Sequence, residues 1–240
     1  MAKKKAGAAG DMKKFYMILG LVAVIGIVAV GASMRGSTGA TEPVDLGEVS
    51  DVELVALAQG MIYGDPNAPV TIMEFGDYQC PACGQFAGAV KPQVDLAYIE
   101  TGQAKLVFHD FPLPGHPNAF PAARAARCAG AQDQYFAYHD LLFRNQQGWS
   151  LKSNPAGEFA AIAEEAGLDR SAFTQCLESD QFADVVTANR LLGERLGVGG
   201  TPTLFVHTGQ GPAKRLGGFQ FIDVQRAMEA WAEEMADSND

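Results

Sequence analysis

The stretch Val70-Thr71-Ile72-Met73-Glu74-Phe75-Gly76-Asp77-Tyr78-Gln79-Cys80-Pro81-Ala82-Cys83 begins as a strand and ends in a pair of thiols. Its first six residues are β-branched or apolar apart from Glu74, and they follow the turn-forming Gly64-Asp65-Pro66-Asn67, so they read as a buried strand. Pro81 suits the first turn of a helix, where a missing N–H removes no hydrogen bond. Helical spacing then runs to about Tyr98, with a kink expected at Pro92. A thiol at the start of such a helix meets unbonded N–H groups and the positive end of the helix dipole. These favour the thiolate and lower its pKa from about 8.5 into the range of roughly 3.5 to 7.5. Cys80 is therefore the expected reactive sulfur, and Cys83, one turn further in, the shielded resolving one.

Moving outward, Lys105 to Phe111 predicts a second core strand. From Asn118 to about Gly197 the pattern is helical, broken at Gly148, Asn154-Pro155, Gly167 and Ser179-Asp180. Strand signals return at Thr203-Leu204-Phe205-Val206, and Asp223 to Ala236 closes as a helix. The expected architecture is an α/β domain over residues 60–236 with an all-helical insertion at about 115–198. Gly199-Gly200-Thr201-Pro202-Thr203 stands just before a strand, where a proline donates no hydrogen bond and an X-Pro bond readily turns cis.

The N-terminal side is of a different kind. Residues 15–32, FYMILGLVAVIGIVAVGA, carry no charge and as a helix reach roughly 27 Å, close to a bilayer core. Lys3, Lys4, Lys5, Lys13 and Lys14 precede them and only Arg35 follows closely, so residues 1–14 read as a cytoplasmic tail and 15–32 as a transmembrane signal anchor. A signal peptide cleaved near Val30-Gly31-Ala32 is the alternative, although the run exceeds the usual apolar length of about 7 to 15 residues. Residues 33–59 read as a linker, rich in Gly, Ser, Thr and acid over 33–50 and ending in a short amphipathic piece, Asp51 to Gln59, expected as a helix leading into the domain. The part beyond the linker is expected on the extracytoplasmic side of the membrane.

The whole chain holds 18 basic and 28 acidic residues; beyond residue 14 the balance is 13 against 27, a net charge of -14. A surface this acidic, without a basic stripe interleaved with aromatics, argues against nucleic acid. Four cysteines, at 80, 83, 128 and 176, allow three pairings if all are bridged. A zinc site would normally show a second close pair of ligands, which Cys128 and Cys176 do not form. No metal or cofactor is implied. His109 and His139 read as structural, Trp149 and Trp231 as core, and Tyr78 and Phe75 either as packing or as part of an apolar docking surface.

In combination, Glu74 to Cys83, His139-Asp140-Leu141-Leu142-Phe143, Gly167-Leu168-Asp169, Phe173-Thr174-Gln175-Cys176-Leu177 and Gly197-Val198-Gly199-Gly200-Thr201-Pro202-Thr203 resemble the DsbA-like thiol:disulfide oxidoreductases of the thioredoxin superfamily. The likeness extends from about Ile62 to the last helix. It implies a thioredoxin fold with an inserted helical domain, Cys80 as the attacked and attacking sulfur, Cys83 as the resolving one, and Pro202 as a cis-proline beside them. The backbone at Thr201-Pro202 would pair with an extended substrate segment. Glu74 matches an acidic residue often found beneath the active site, which makes it a candidate proton acceptor for Cys83; the other reading is a half-exposed carboxylate at a strand end. Some members carry cysteines at the places of Cys128 and Cys176, which implies a structural bridge between them. Pro-Ala between Cys80 and Cys83, where the strongest oxidants have Pro-His, removes a cationic contribution and implies a milder oxidant.

The resemblance implies a monomeric, exported, membrane-tethered enzyme that passes its disulfide to unfolded or reduced exported proteins and is reoxidised by a quinone-linked membrane oxidase. A reductase or isomerase would run the same chemistry in another direction, but the roughly 27 residues from Ser33 to Gln59 are too few for the dimerisation module that isomerases add. A non-catalytic thioredoxin-like binding module is the reading from another class.

Overall fold

A computed structural model describes residues 39–209 and 211–237. The tail at 1–14, the anchor at 15–32 and the first part of the linker lie outside the described residues. Among the described residues no helix is long and apolar enough to cross a membrane.

The quoted stretch builds the centre of a five-stranded sheet. Its strands are β1 (Met61–Tyr63), β2 (Val70–Gly76), β3 (Ala104–Asp110), β4 (Thr203–His207) and β5 (Lys214–Arg215), in the order β1-β3-β2-β4-β5. β2 lies parallel to β3, with Ile72 opposite Leu106, and antiparallel to β4, with Met73 opposite Phe205. Parallel neighbours require a crossover, and α2 supplies it in four consecutive segments, Pro81–Gln85, Phe86–Val90, Lys91–Val94 and Asp95–Ile99. Pro92 cannot donate inside a helix, yet the helix runs on through it. The wider π-type turn of Phe86–Val90, just before, takes the place of a break.

Alternation along β2 assigns its two faces. Val70 and Ile72 pack with Phe86, Val90 and Val94 of α2, and with Val224 and Met228 of the last helix, α9 (Phe221–Asp237). Glu74 shares their parity and so sits under α2, where it is 1% exposed. On the opposite face Phe75 joins Phe111, Val198 and Phe205.

Between β3 and β4 the chain folds into six helices: α3 (Ala119–Gly130), α4 (Tyr135–Arg144), α5 (Gln146–Trp149), α6 (Ala156–Glu165), α7 (Arg170–Glu178) and α8 (Ala183–Arg195). This is the inserted helical block. Ala122, Ala125, Ala126 and Ala129 of α3 are buried among Tyr138, Leu142, Trp149, Phe159 and Phe173, small side chains letting the helices approach closely. Cys128 and Cys176 are joined by a disulfide across α3 and α7.

Residues 39–50 depart from the expected tether, whereas the amphipathic piece after them forms the expected helix. α1 (Asp51–Leu57) opens with a capping box, in which Ser50 accepts from the Glu53 N–H and Glu53 accepts from the Ser50 N–H. Leu54, 1% exposed, packs against Ala188, Leu191 and Leu192 of α8. The Val44 N–H donates to Thr187 at 3.0 Å, and Arg124 donates to the Ala40 carbonyl at 2.6 Å. Composition suggests a tether because residues 33–50 are rich in Gly, Ser, Thr and acid. They are held by a few long-range contacts that leave no periodic trace in so short a segment.

Candidate active site

Cys80 occupies the position just before α2, with extended backbone (φ -73°, ψ 124°) and Pro81 as the first helical residue. Its carbonyl accepts from the Gly84 N–H at 3.1 Å, which begins the helix. The thiol is 8% exposed and donates to the Thr201 carbonyl at 3.4 Å. The Thr201-Pro202 bond is cis. The turn carrying it is braced by the Thr203 hydroxyl, which donates to Gly200 at 2.7 Å, and by Arg215, which donates to Gly197 at 3.1 Å. Residues 80 and 201, separated by α2, β3 and the whole helical block, therefore meet at one end of β2 and β4.

The two sulfurs are electrostatically unlike. Cys80 is held down to about 5, chiefly by the hydrogen bond from the Cys83 thiol, with the Thr201 side chain and the N–H groups of Cys83 and Ala82 adding to it against the opposing effect of burial. Burial pushes Cys83 well above the ordinary thiol range, and its bond to Cys80 and the nearby Glu74 charge push the same way. Cys83 is fully buried and accepts from the Asp77 N–H at 3.4 Å. One sulfur is thus a thiolate at neutral pH and the other a thiol. Such an asymmetry suits the first to nucleophilic and leaving-group chemistry and leaves the second shielded.

Glu74 is buried, with both carboxylate oxygens free of any hydrogen-bond partner, which removes the reading as a half-exposed carboxylate. Desolvation raises its pKa to about 8, only partly opposed by Lys91. It can therefore hold or release a proton close to neutral pH. Phe75 and Tyr78 are buried as well, so they pack and do not form a docking surface; Tyr78 donates to the Tyr135 hydroxyl at 3.0 Å. His109, lowered to about 4 by burial, lies 2.6 Å from Asn189 on the other face of the sheet, and His139 is buried among Tyr78, Phe108 and Phe143. Cys128 and Cys176 lie in the helical block, bonded to each other and packed in the same buried cluster that contains Cys80 and Cys83.

Some residues that support the site were not singled out from sequence. Asp77, buried, accepts from the N–H groups of Gln79 at 2.7 Å and Leu113 at 2.9 Å, and its carboxylate lies 2.7 Å from His116. It stabilises the turn into Cys80. The bond from Gln79 is an Asx turn, a signal present in Asp77-Tyr78-Gln79 itself. Gln79 in turn donates to the Ser150 carbonyl at 2.8 Å and accepts from the Asn118 N–H at 2.7 Å. Gln146 donates to the carbonyls of Tyr78 and Cys80. No sequence pattern pairs residues 66 or more positions apart.

Residues 57–211 match the family described as thioredoxin. Among curated proteins, the Na(+)/H(+) antiporter NhaA 1 of Mycobacterium sp. (strain KMS) is 33% identical over 175 residues, covering 70% of this chain and 26% of that protein. This chain therefore spans about a quarter of the length of the antiporter relatives. The probable disulfide bond formation protein D of Bacillus cereus is 27% identical over 158 residues, 65% of this chain and 73% of that one. Among solved structures, a thioredoxin-like oxidoreductase from Silicibacter pomeroyi is 28% identical with a TM-score of 0.59, covering 77% of this chain and 99% of the other. Oxidised BdbD from Bacillus subtilis shares the fold with a TM-score of 0.65 at 23% identity, covering 73% and 97%.

Proposed function

This chain belongs to the thioredoxin family, in its DsbA-like branch, and on that premise we propose that it is a protein-disulfide oxidoreductase that donates the Cys80–Cys83 disulfide to reduced exported proteins. The observation that carries the reading is the asymmetry of the two thiols: Cys80 held down to about 5 at the start of α2, Cys83 buried and held up. In the oxidised enzyme a substrate thiolate attacks Cys80. A substrate–Cys80 bond forms, the Cys80–Cys83 bond breaks, and Cys83 leaves with the electron pair and takes a proton, for which Glu74 is the nearby source. A second substrate thiolate then attacks the substrate sulfur of the mixed disulfide and Cys80 leaves as its stabilised thiolate. The substrate has lost two electrons and the enzyme has gained them. When a membrane oxidase removes them, Glu74 takes the Cys83 proton back.

A couple that favours its reduced form is an oxidant, because the stabilised Cys80 thiolate exists only after reduction. Equilibration with glutathione is expected to give a potential between about -120 and -180 mV, the range of known disulfide donors. A value near -270 mV, as in reducing thioredoxins, would assign the same site to reduction. The milder end is expected, because Ala82 supplies no imidazole. We also infer that residues 15–32 anchor the enzyme with its catalytic domain outside the cytoplasm. The inference rests on their uncharged length and the five lysines before them. The full chain should stay with membranes after alkaline carbonate washing, and its release would remove the anchor.

A further inference from the structure

Gln146 is the first residue of α5, in the helical block, yet its side chain serves the redox loop. Its Nε2 donates to the Tyr78 carbonyl at 2.7 Å and to the Cys80 carbonyl at 2.9 Å. An amide nitrogen has two hydrogens, and both are spent on this loop. The other end of the same amide lies against α2. A Cβ placed on Gly84 would stand 3.2 Å from Gln146 Oε1, so the small residue after Cys83 leaves the space this amide occupies. The far end of α5 is secured in turn. Asn118 donates to the carbonyls of Ser150 at 3.1 Å and Lys152 at 2.8 Å, and Gln79 donates to Ser150.

The Cys80 carbonyl thus has two donors, the Gly84 N–H from inside α2 and Gln146 from the helical block. A carbonyl gripped from two directions fixes the peptide plane, and with it the direction of the Cys80 side chain toward the Cys83 thiol and the helix N–H groups. Hydrogen bonds to sulfur weaken steeply with misalignment, so freedom in that peptide lowers the mean stabilisation of the thiolate.

We propose that Gln146 is a positioning residue of the redox site, and that by clamping the Tyr78 and Cys80 carbonyls it sets how strongly the Cys80–Cys83 couple oxidises. The helical block is on this view part of the redox machinery and not only a cover for it. The proposal rests on the redox reading above, and its test separates the two.

In the reduced full chain, the ultraviolet absorbance of the thiolate is titrated and the couple is equilibrated with glutathione, for wild type, Gln146→Met and Gln146→Ala. Methionine keeps the length without donors; alanine at this half-buried position decides if the first variant fails to fold. Each is expected to raise the Cys80 midpoint by about one unit. That makes the reduced form roughly tenfold less favoured at neutral pH and lowers the potential by about 30 mV. Gln132→Ala removes bonds to Asp169 within the helical block and none to the redox loop. It is expected to lower Tm and leave midpoint and potential in place. Unchanged values in the Gln146 variants, or an equal shift in Gln132→Ala, overturn the clamp. A wild-type midpoint near that of a free thiol overturns the redox reading itself, before any variant is measured.

Discussion

The two cysteine pairs of this chain stand in opposite surroundings. Cys80 and Cys83 enclose two residues at the start of a helix, where N–H groups are unbonded and Thr201 approaches from across the sheet. Cys128 and Cys176 are 48 residues apart, joined between α3 and α7 in a region of alanines and aromatics. Sulfur has the same chemistry in both. Closing the first pair restricts the unfolded chain little, but its two redox states differ in the charge that the helix start can stabilise. Closing the second excludes a large part of the unfolded ensemble and presents no thiolate to any donor. A bridge that is easily exchanged and one that holds the fold can therefore be told apart by loop length and by what points at the sulfur.

The largest effect expected from breaking this contrast is at Cys80. Cys80→Ser keeps the size and removes the nucleophile, so disulfide transfer to a reduced model protein should fall by at least about a thousandfold while the far-ultraviolet circular dichroism is retained. Substantial transfer by this variant, or complementation of a strain lacking the protein, would favour the non-catalytic binding module instead.

Next is the other pair. In the chain-entropy treatment a loop of this length contributes about 4 kcal/mol, so Cys128→Ser with Cys176→Ser should lower the denaturant midpoint markedly. The Cys80 titration should be unmoved. A shifted titration with unchanged stability would reverse the roles of the two regions.

Glu74 sharpens the redox side through pH. Its pKa is raised from 4.5 to about 8, so the folded protein binds a proton more tightly than the unfolded chain. Folding stability consequently carries no penalty below pH 4.5, loses ground as pH rises between 4.5 and 8, and carries the full penalty above that. Glu74→Gln removes the charge and should stabilise the protein, on the order of 2 kcal/mol at pH 7 and less at low pH, in thermal unfolding across that range. A gain that does not grow with pH would mean that the carboxylate stays solvated.

The two regions also differ in how far they are legible in sequence. The redox side announces itself, because β2, Cys80-Pro81-Ala82-Cys83 and Thr201-Pro202 are each short local patterns whose physics is set by neighbours in the chain. The burial of Glu74 followed from strand parity only once α2 was known to cover that face. The side-chain amides of Gln79, Asn118 and Gln146 could not be read, since each acts across tens of residues and a lone amide on a helix resembles any solvated one. β1, three residues with Ile62 half exposed, is too short for an alternation pattern, and pairing with β3 creates it. In the helical block the breakers at Gly167 and Asn154-Pro155 marked the helix ends, but the packing partners of α3 had no signature beyond its alanines.

The smallest prediction concerns the edge of the staple side, where composition and structure disagree. Residues 39–50 are polar enough for a tether, but Arg124, one turn before Cys128, joins the Ala40 carbonyl to those of Leu177 and Ser179, just past Cys176. Asp51 pairs with Arg195, and Leu54 is buried against α8. If this segment folds with the domain, its helix start contributes to global stability. Ser50→Ala removes the side-chain half of the capping box while leaving every buried contact in place. It should lower unfolding stability by about 1 kcal/mol, without effect on the Cys80 titration. A tether would show no change, because an exposed helix that frays independently adds nothing to the cooperative transition. A loss of that size places the start of the cooperative domain before residue 50 and an unchanged stability places it after residue 58, a distinction that composition does not draw because it weighs polarity and not the few long-range bonds that secure a short segment.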